Sequence, residues 1–384
     1  AYTILWVEET EGEVGFTNGF TEVYGDPLGL KASWEGYVNY TDHQATRRAQ
    51  ALSRNAQWFE DHSPVDARFK KPLCRGVSAK VINAAILGGD LYPSSAIGIN
   101  LPNSNWVRAE HGSKSVTIAN LTHAYDEAAR GNGFRNEFAD STQTVSLMDR
   151  YGSVCDDLHT DLHECLGHGS GRLLPGVDPD ALKAYGSTIE EARADLFGLY
   201  YLADEKLVEL GLTPCQEAYK AQYYSYMMNG LLTQMVRIQP GHQIEEAHMR
   251  NRALIARWTL EHYPQAVRLS EQDGKHYVEI LDYPLLRTAF GTLLAEIQRI
   301  KSEGDLQAAR QMVERYGVQI DAKLHQEVLE RYSKLNLAPY KGFINPRYTP
   351  IYDQEGHITD VHIDYLETYD EQMLRYSKQY NTLI

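Results

Sequence analysis

Runs of apolar and β-branched residues broken by turn formers fill the first 40 positions, with TNGF and YGDPLGL as the breaks, and this pattern predicts β structure. ILWVEETEGEVGFT reads as strand, polar turn, strand. From 42 to 62, DHQATRRAQALSRNAQWFEDH offers a polar N-cap followed by helix formers, so a helix is expected. Residues 77–120 return to short apolar runs, KVINAAILGG and SVTIANL, punctuated by YPSS and LPNSN, and read as strands and loops. Between 121 and 335 the periodicity is mostly helical, with helices expected at 188–207, 214–237, 243–262, 283–303 and 305–335. The tail KGFINPRYTPIYDQEGHITDVHIDYLET alternates like strands before a last short helix.

β segments at the start, near residue 100 and near the end, separated by helical blocks, predict an α+β protein of two lobes that the chain crosses several times. The helical lobe takes 44–83 and 130–340. The β-rich lobe takes 1–43, 84–129 and 341–384. A chain that opens inside a hairpin without an initiator Met is expected to lack an N-terminal portion, and a separate N-terminal portion of the same protein is an expected partner.

Composition narrows the function classes. With 384 residues, 43% hydrophobic and 23% charged, the chain is neither disordered nor membranous, and it has no apolar run of the roughly 18 residues that a spanning helix needs. A net charge of −15 repels a phosphate backbone, so nucleic acid is excluded as a partner. Cys74, Cys155, Cys165 and Cys215 form no CxxC pair, and the N-terminus has no basic start or cleavage site, which together point to a reducing, cytoplasmic setting.

The chemistry concentrates in HECLGHGS, residues 163–170. His163 and His168 are five apart, about 140° from each other on a regular helix, so they cannot share one ion there. A one-turn π bulge would bring them onto one face, and Gly167 is a residue type that tolerates the distortion. Two imidazoles on one helix make half of a tetrahedral zinc site. TIEEARADLFGLY then supplies Glu190, Glu191 and Asp195 as candidates for an acidic third ligand, with Glu191 and Asp195 on one face so that one binds while the other orients an imidazole. Glu164 points toward the open coordination position, where it can take a proton from water. A rival pair, His159 and His163, shares a face on a regular helix but has Thr160 where the base should be. GHGSGR reads as the exit from the zinc helix rather than a phosphate loop, the Tyr219, Tyr223, Tyr226 stripe as core packing, and Cys165 as a small buried hydrophobe.

HECLGH followed by EEARAD resembles the dipeptidyl peptidase III family, zinc exopeptidases that release dipeptides from the N-termini of short peptides. The resemblance spans nearly the whole chain and implies two lobes with a cleft between them. It implies one zinc held by His163, His168 and Glu191, Glu164 as general base, and Glu190 and Asp195 as the acids behind the ligands. NGFTEVYGDPLGLKASWEGYV implies Glu22 as a binder of the peptide's N-terminus and Tyr24 as a stabiliser of the reacting carbonyl. GINLPN implies Asn100 and Asn103 as peptide binders, and EEAHMRNRALI implies a transition-state histidine at His248 and a substrate-binding Arg252. The connector from His168 to Glu191 is shorter than in eukaryotic members, which implies a bacterial-type member. The other departure is an absent N-terminal part of the β-rich lobe, which puts turnover by this chain in question. The expected function is therefore a zinc metallopeptidase acting on short peptides; the alternative is a non-catalytic peptide-binding module that keeps the zinc cleft.

Overall fold

The computed structural model describes residues 2–9, 11–21, 33–74, 78–93, 95, 97–101, 107, 110–112, 114–337 and 342–381. Glu22, Tyr24 and Asn103 lie outside them.

The expected first strand is instead a helix, α1 (Tyr2–Glu8). YTILWV suits either state, and tertiary contacts decide. Val7 is buried, Trp6 packs on the sheet core, and Lys114 Nζ donates to the carbonyls of Trp6 (3.0 Å) and Glu9, placing a cation at the negative end of the helix. β1 (Val14–Thr21) and β2 (Ser33–Thr41) follow as an antiparallel pair with Phe16 opposite Val38. The predicted 42–62 helix is two: α2 (His43–Arg54), capped by Asp42 accepting from Ala45 N at 2.9 Å, and α3 (Ala56–His62) after a break at Asn55.

β3 (Ser78–Gly89), β4 (Gly98–Leu101) and β5 (Lys114–Ile118) complete a five-stranded sheet in the order β1-β2-β3-β5-β4, with β3 and β5 parallel. β3 outruns β5 at Ile82, and two side-chain amides take up the ladder beyond it. Asn120 accepts from Ala84 N (2.9 Å) and donates to its carbonyl (2.8 Å); Asn345 does the same for Leu87 (2.8 and 3.0 Å). Because side chains alternate along a strand, Val81 belongs to the helical core while its neighbour Ile82 belongs to the sheet core with Tyr37, Leu87, Val116, Ile118 and Phe343.

α4 (Ala119–Ala129) follows β5 and packs on the sheet, with Leu121 in the sheet core. The helical body contains α5 (Phe134–Phe138), α6 (Thr142–Leu162), α7 (Gly186–Leu202), α8 (Glu205–Glu209), α9 (Tyr219–Leu231) and α10 (Ala247–His262). α11 (Tyr283–Glu303) and α12 (Leu306–Met312) follow, and a second π turn, Val313–Val318, separates α12 from α13 (Ala322–Lys334), so the single helix expected over 305–335 is divided. α7 is buried on nearly all sides, which makes it the axle of this body. The mostly helical reading of 121–335 also missed a hairpin, β6 (Val267–Gln272) and β7 (Lys275–Ile280), turned by Asp273 and Gly274 at φ 52° and 74°. Positive φ at both central residues suits the right-handed twist of the flanking strands. β8 (Arg347–Tyr352), β9 (Ile358–Asp364) and α14 (Tyr369–Gln379) close the chain as the alternation of its tail predicts. The architecture is α+β, a helical lobe and a sheet lobe each with its own core.

Candidate metal centre

α6 starts with Ser141 accepting from Thr144 N at 3.2 Å and runs without a break into a π turn over His163–Gly167. The amide of His168 donates to the carbonyl of His163 at 3.0 Å, an i to i+5 bond that widens the turn and sets the two imidazoles side by side. Their ring centroids are 4.6 Å apart and their planes nearly perpendicular, at 88°.

α7 brings the acids. Asp195 Oδ1 accepts from His163 Nδ1–H at 2.7 Å, and Glu190 Oε1 accepts from His168 Nδ1–H at 2.8 Å. Those bonds aim each imidazole's Nδ1–H at its acid and turn Nε2 the other way, as the nitrogen that a metal ion would take in place of a proton. Both Nε2 atoms face Glu191 Oε2, at 3.3 Å from His163 and 4.0 Å from His168. That oxygen is buried and has no hydrogen-bond donor. The donor atoms of His163, His168 and Glu191 lie within 4.8 Å of one another. Two imidazole nitrogens and a buried carboxylate oxygen without a hydrogen-bond partner converge on one space and need positive charge among them, which a metal ion can supply in place of an imidazole proton, so the residues present fit a metal ion.

Electrostatics keeps the acids ionised. Burial alone would push the Asp195 carboxyl up, but the hydrogen bond and charge of His163, with His159 and Arg252 nearby, hold it far below the usual carboxylate range. Burial likewise opposes an ionised Glu190, and Arg193, Lys301 and His168 overcome it. Glu191 is lowered against its own burial by His163, His168 and His248.

The rival pair fails because both ring nitrogens of His159 are engaged: Nε2 donates to the Asp195 carbonyl at 3.1 Å and Nδ1 accepts from Gln222 at 3.2 Å. Glu164 sits half-buried on the π turn, directly after a candidate ligand. His248 is exposed near the start of α10 with Nδ1 3.4 Å from Glu191 Oε2, and Arg252 lies one turn later within electrostatic reach of Asp195. Asn100 is in β4, opposite Ser115 of β5.

Cys165 is buried, and burial pushes its thiol well up, as suits a small hydrophobe. GHGSGR is the helix exit, and its Gly171 amide donates to Glu60 at 3.0 Å, so the anion it holds is a carboxylate of the chain itself. The tyrosine stripe is buried, but packing is not all it does. Tyr226 donates its hydroxyl proton to Asp195 Oδ2 at 2.7 Å and so steadies the group behind His163. Its helical spacing looks like any core stripe, and only the approach of α9 to α7 reveals the contact.

Gly167 earns its place through packing more than through the distortion of the turn. A Cβ there would lie 2.8 Å from Ala194 Cα and 2.9 Å from its carbonyl oxygen, and a Cβ at Gly198 would lie 2.5 Å from His159 Cδ2. The two glycines let α6 and α7 approach closely. An alanine at an open helical glycine stabilises by about 0.5–1 kcal/mol, whereas overpacking against backbone costs about 1–3 kcal/mol. Gly167→Ala is therefore expected to destabilise the metal-free protein in urea denaturation; an unchanged or raised midpoint would mean the close approach is not needed.

Fold and donor set together define a candidate metal centre built between two helices. The model of peptidase family M49 matches residues 1–183 and 177–336, and the chain belongs to that family. It is 27% identical to dipeptidyl peptidase 3 of Dictyostelium discoideum over 260 residues, 58% of this chain and 36% of that protein. Dipeptidyl peptidase 3 of Rattus norvegicus is 24% identical over 360 residues, 83% of this chain and 48% of that one. The structure of DPP III from Caldithrix abyssi shares the fold, with a TM-score of 0.72 at 22% identity over 87% of this chain and 62% of that chain. The chain spans about half or less of the length of these two curated relatives. Among the described residues no helix is long and apolar enough to cross a membrane.

Proposed function

We propose that this chain is a zinc-dependent dipeptidyl peptidase that releases N-terminal dipeptides from short peptides. The observation that carries the reading is the convergence of His163 Nε2, His168 Nε2 and the donorless Glu191 Oε2. Two imidazoles and a carboxylate with a remaining open position are the ligand set of catalytic zinc. When bound there, zinc supplies Lewis-acid polarisation of the scissile carbonyl and of the attacking water.

The chain's own groups do the rest. Glu164 takes the proton of the attacking water and passes it to the leaving amine. His248 donates to the oxygen that gains charge, with Tyr24 as its counterpart from the sheet lobe. Glu22, Asn100 and Asn103 hold the peptide's ammonium and first amides, and Arg252 binds further along. β4 is the terminal strand of the five-stranded order, so a peptide laid along its outer edge would extend the sheet. The cleft is assigned to the junction of a helical lobe (44–83, 130–340) with a sheet lobe (1–43, 84–129, 341–384). Four free cysteines suit a reducing, cytoplasmic setting.

The test combines elemental analysis with release of a dipeptide from a chromogenic dipeptidyl amide. One zinc per chain and activity lost to a chelator and regained with zinc are expected. Since coordination needs both Nε2 atoms unprotonated, zinc uptake should tighten as pH rises and, in calorimetry across buffers of different ionisation enthalpy, release protons. Failure to bind zinc defeats the reading. A zinc-loaded chain that binds peptide without cleaving it establishes the binding-module alternative.

A further inference from the structure

The ligands of the candidate centre come from two elements, the π turn and α7, so its geometry depends on how rigidly one is held to the other. Helix C-termini normally leave four carbonyls without intrahelical partners. Here four successive carbonyls at and just past the helix end, Gly167, His168, Gly169 and Ser170, are taken by two cations. Arg193, on α7 and 0% exposed, donates through Nη1 to the carbonyls of Gly167 (2.6 Å) and Ser170 (2.9 Å) and to Ser170 Oγ (2.6 Å). Its Nη2 donates to the His168 carbonyl (3.2 Å) and to Glu190 Oε1 (2.7 Å), and Nε donates to Glu190 Oε2 (3.1 Å). Lys71 Nζ takes the Gly169 carbonyl.

Arg193 thus touches both faces of His168: the backbone that carries it and, through Glu190, the carboxylate that holds its Nδ1–H. The same guanidinium stands two residues from Glu191 on α7. The guanidinium's five N–H groups cover these six acceptor contacts with one Nη1 hydrogen shared; a lysine offers a single point of charge.

We infer that Arg193 is a positioning residue of the metal centre, locking the turn that bears His163 and His168 to the helix that bears Glu191. The inference rests on the zinc reading above, and the experiment separates the two. Zinc dissociation constants are measured by chelator competition on wild type, Arg193→Gln and Arg193→Lys, together with the visible spectrum of the cobalt(II) forms and the urea midpoint of each metal-free protein. Loss of a group that orients a ligand typically weakens metal binding about 10- to 100-fold. That loss is expected in Arg193→Gln, with a changed cobalt spectrum, and partial recovery in Arg193→Lys. A purely structural arginine would lower the urea midpoint and leave the dissociation constant and the spectrum of the folded protein alone. A folded Arg193→Gln protein with wild-type zinc affinity and cobalt spectrum overturns the inference. If the glutamine variant does not fold, the same result in Arg193→Lys overturns it. Wild type that takes up no zinc would instead defeat the zinc reading itself.

Discussion

Glu191→Ala is expected to empty the metal centre while leaving the metal-free protein folded. Glu191 Oε2 is buried without a hydrogen-bond partner, and in the metal-free state its carboxylate is held ionised only by the nearby His163, His168 and His248. A carboxyl with a lowered pKa adds stability above its unfolded pKa, so at neutral pH its removal should lower the thermal midpoint of the metal-free protein only modestly, the chain staying folded. The effect appears when zinc is added. A ligand at 100 times its dissociation constant stabilises the folded state by about 2.7 kcal/mol, and in Glu191→Ala that upward shift should vanish along with zinc in elemental analysis. Full zinc retention at wild-type affinity would assign the third ligand to another group.

Glu164→Gln should have the opposite signature: zinc kept, turnover lost. Glu164 follows His163 on the π turn and lies outside the converging His163, His168 and Glu191 donor set, so an isosteric amide leaves the centre intact and removes only the proton acceptor. Positioned proton transfer contributes about 10²- to 10⁴-fold, and kcat for dipeptide release should fall by that much with little change in zinc content. Near-wild-type turnover in the zinc-loaded variant would take Glu164 out of the chemistry.

Much of the centre was readable because it is local. A spacing of five between His163 and His168 has few helical solutions, and the π turn is the one the chain adopts. Glu191 and Asp195 are four apart on α7, so their common direction toward the imidazoles came with the helical period, while Glu190 beside Glu191 reaches His168 from its own side. What stayed hidden depends on approach between distant segments. Arg193 reads from the sequence as one more charge on a helix, and nothing nearby signals that its partners are the carbonyls 23 to 26 residues before it. Tyr226 and Glu60 are similar cases: Tyr226 reaches Asp195 and Glu60 reaches the helix exit at Gly171, each from a neighbouring element that no periodicity specifies. The β6–β7 hairpin was different, since Asp273-Gly274 between β-prone runs is a local signal, and it was masked by the strong helical periods on either side. α1 was misread because apolar, β-branched residues fit a strand as well as a short helix pinned by Lys114.

β3 carries a constraint on how this chain can vary. Val81 and Ile82 are neighbours in sequence yet belong to different cores. Inserting or deleting one residue before them would send the whole strand's side chains to the opposite faces, stripping both cores at once and carrying Ala84 and Leu87 away from the Asn120 and Asn345 amides. Length changes should therefore be absent from this strand among viable variants, while the exposed turn at Asp353–His357 between β8 and β9 should accept them.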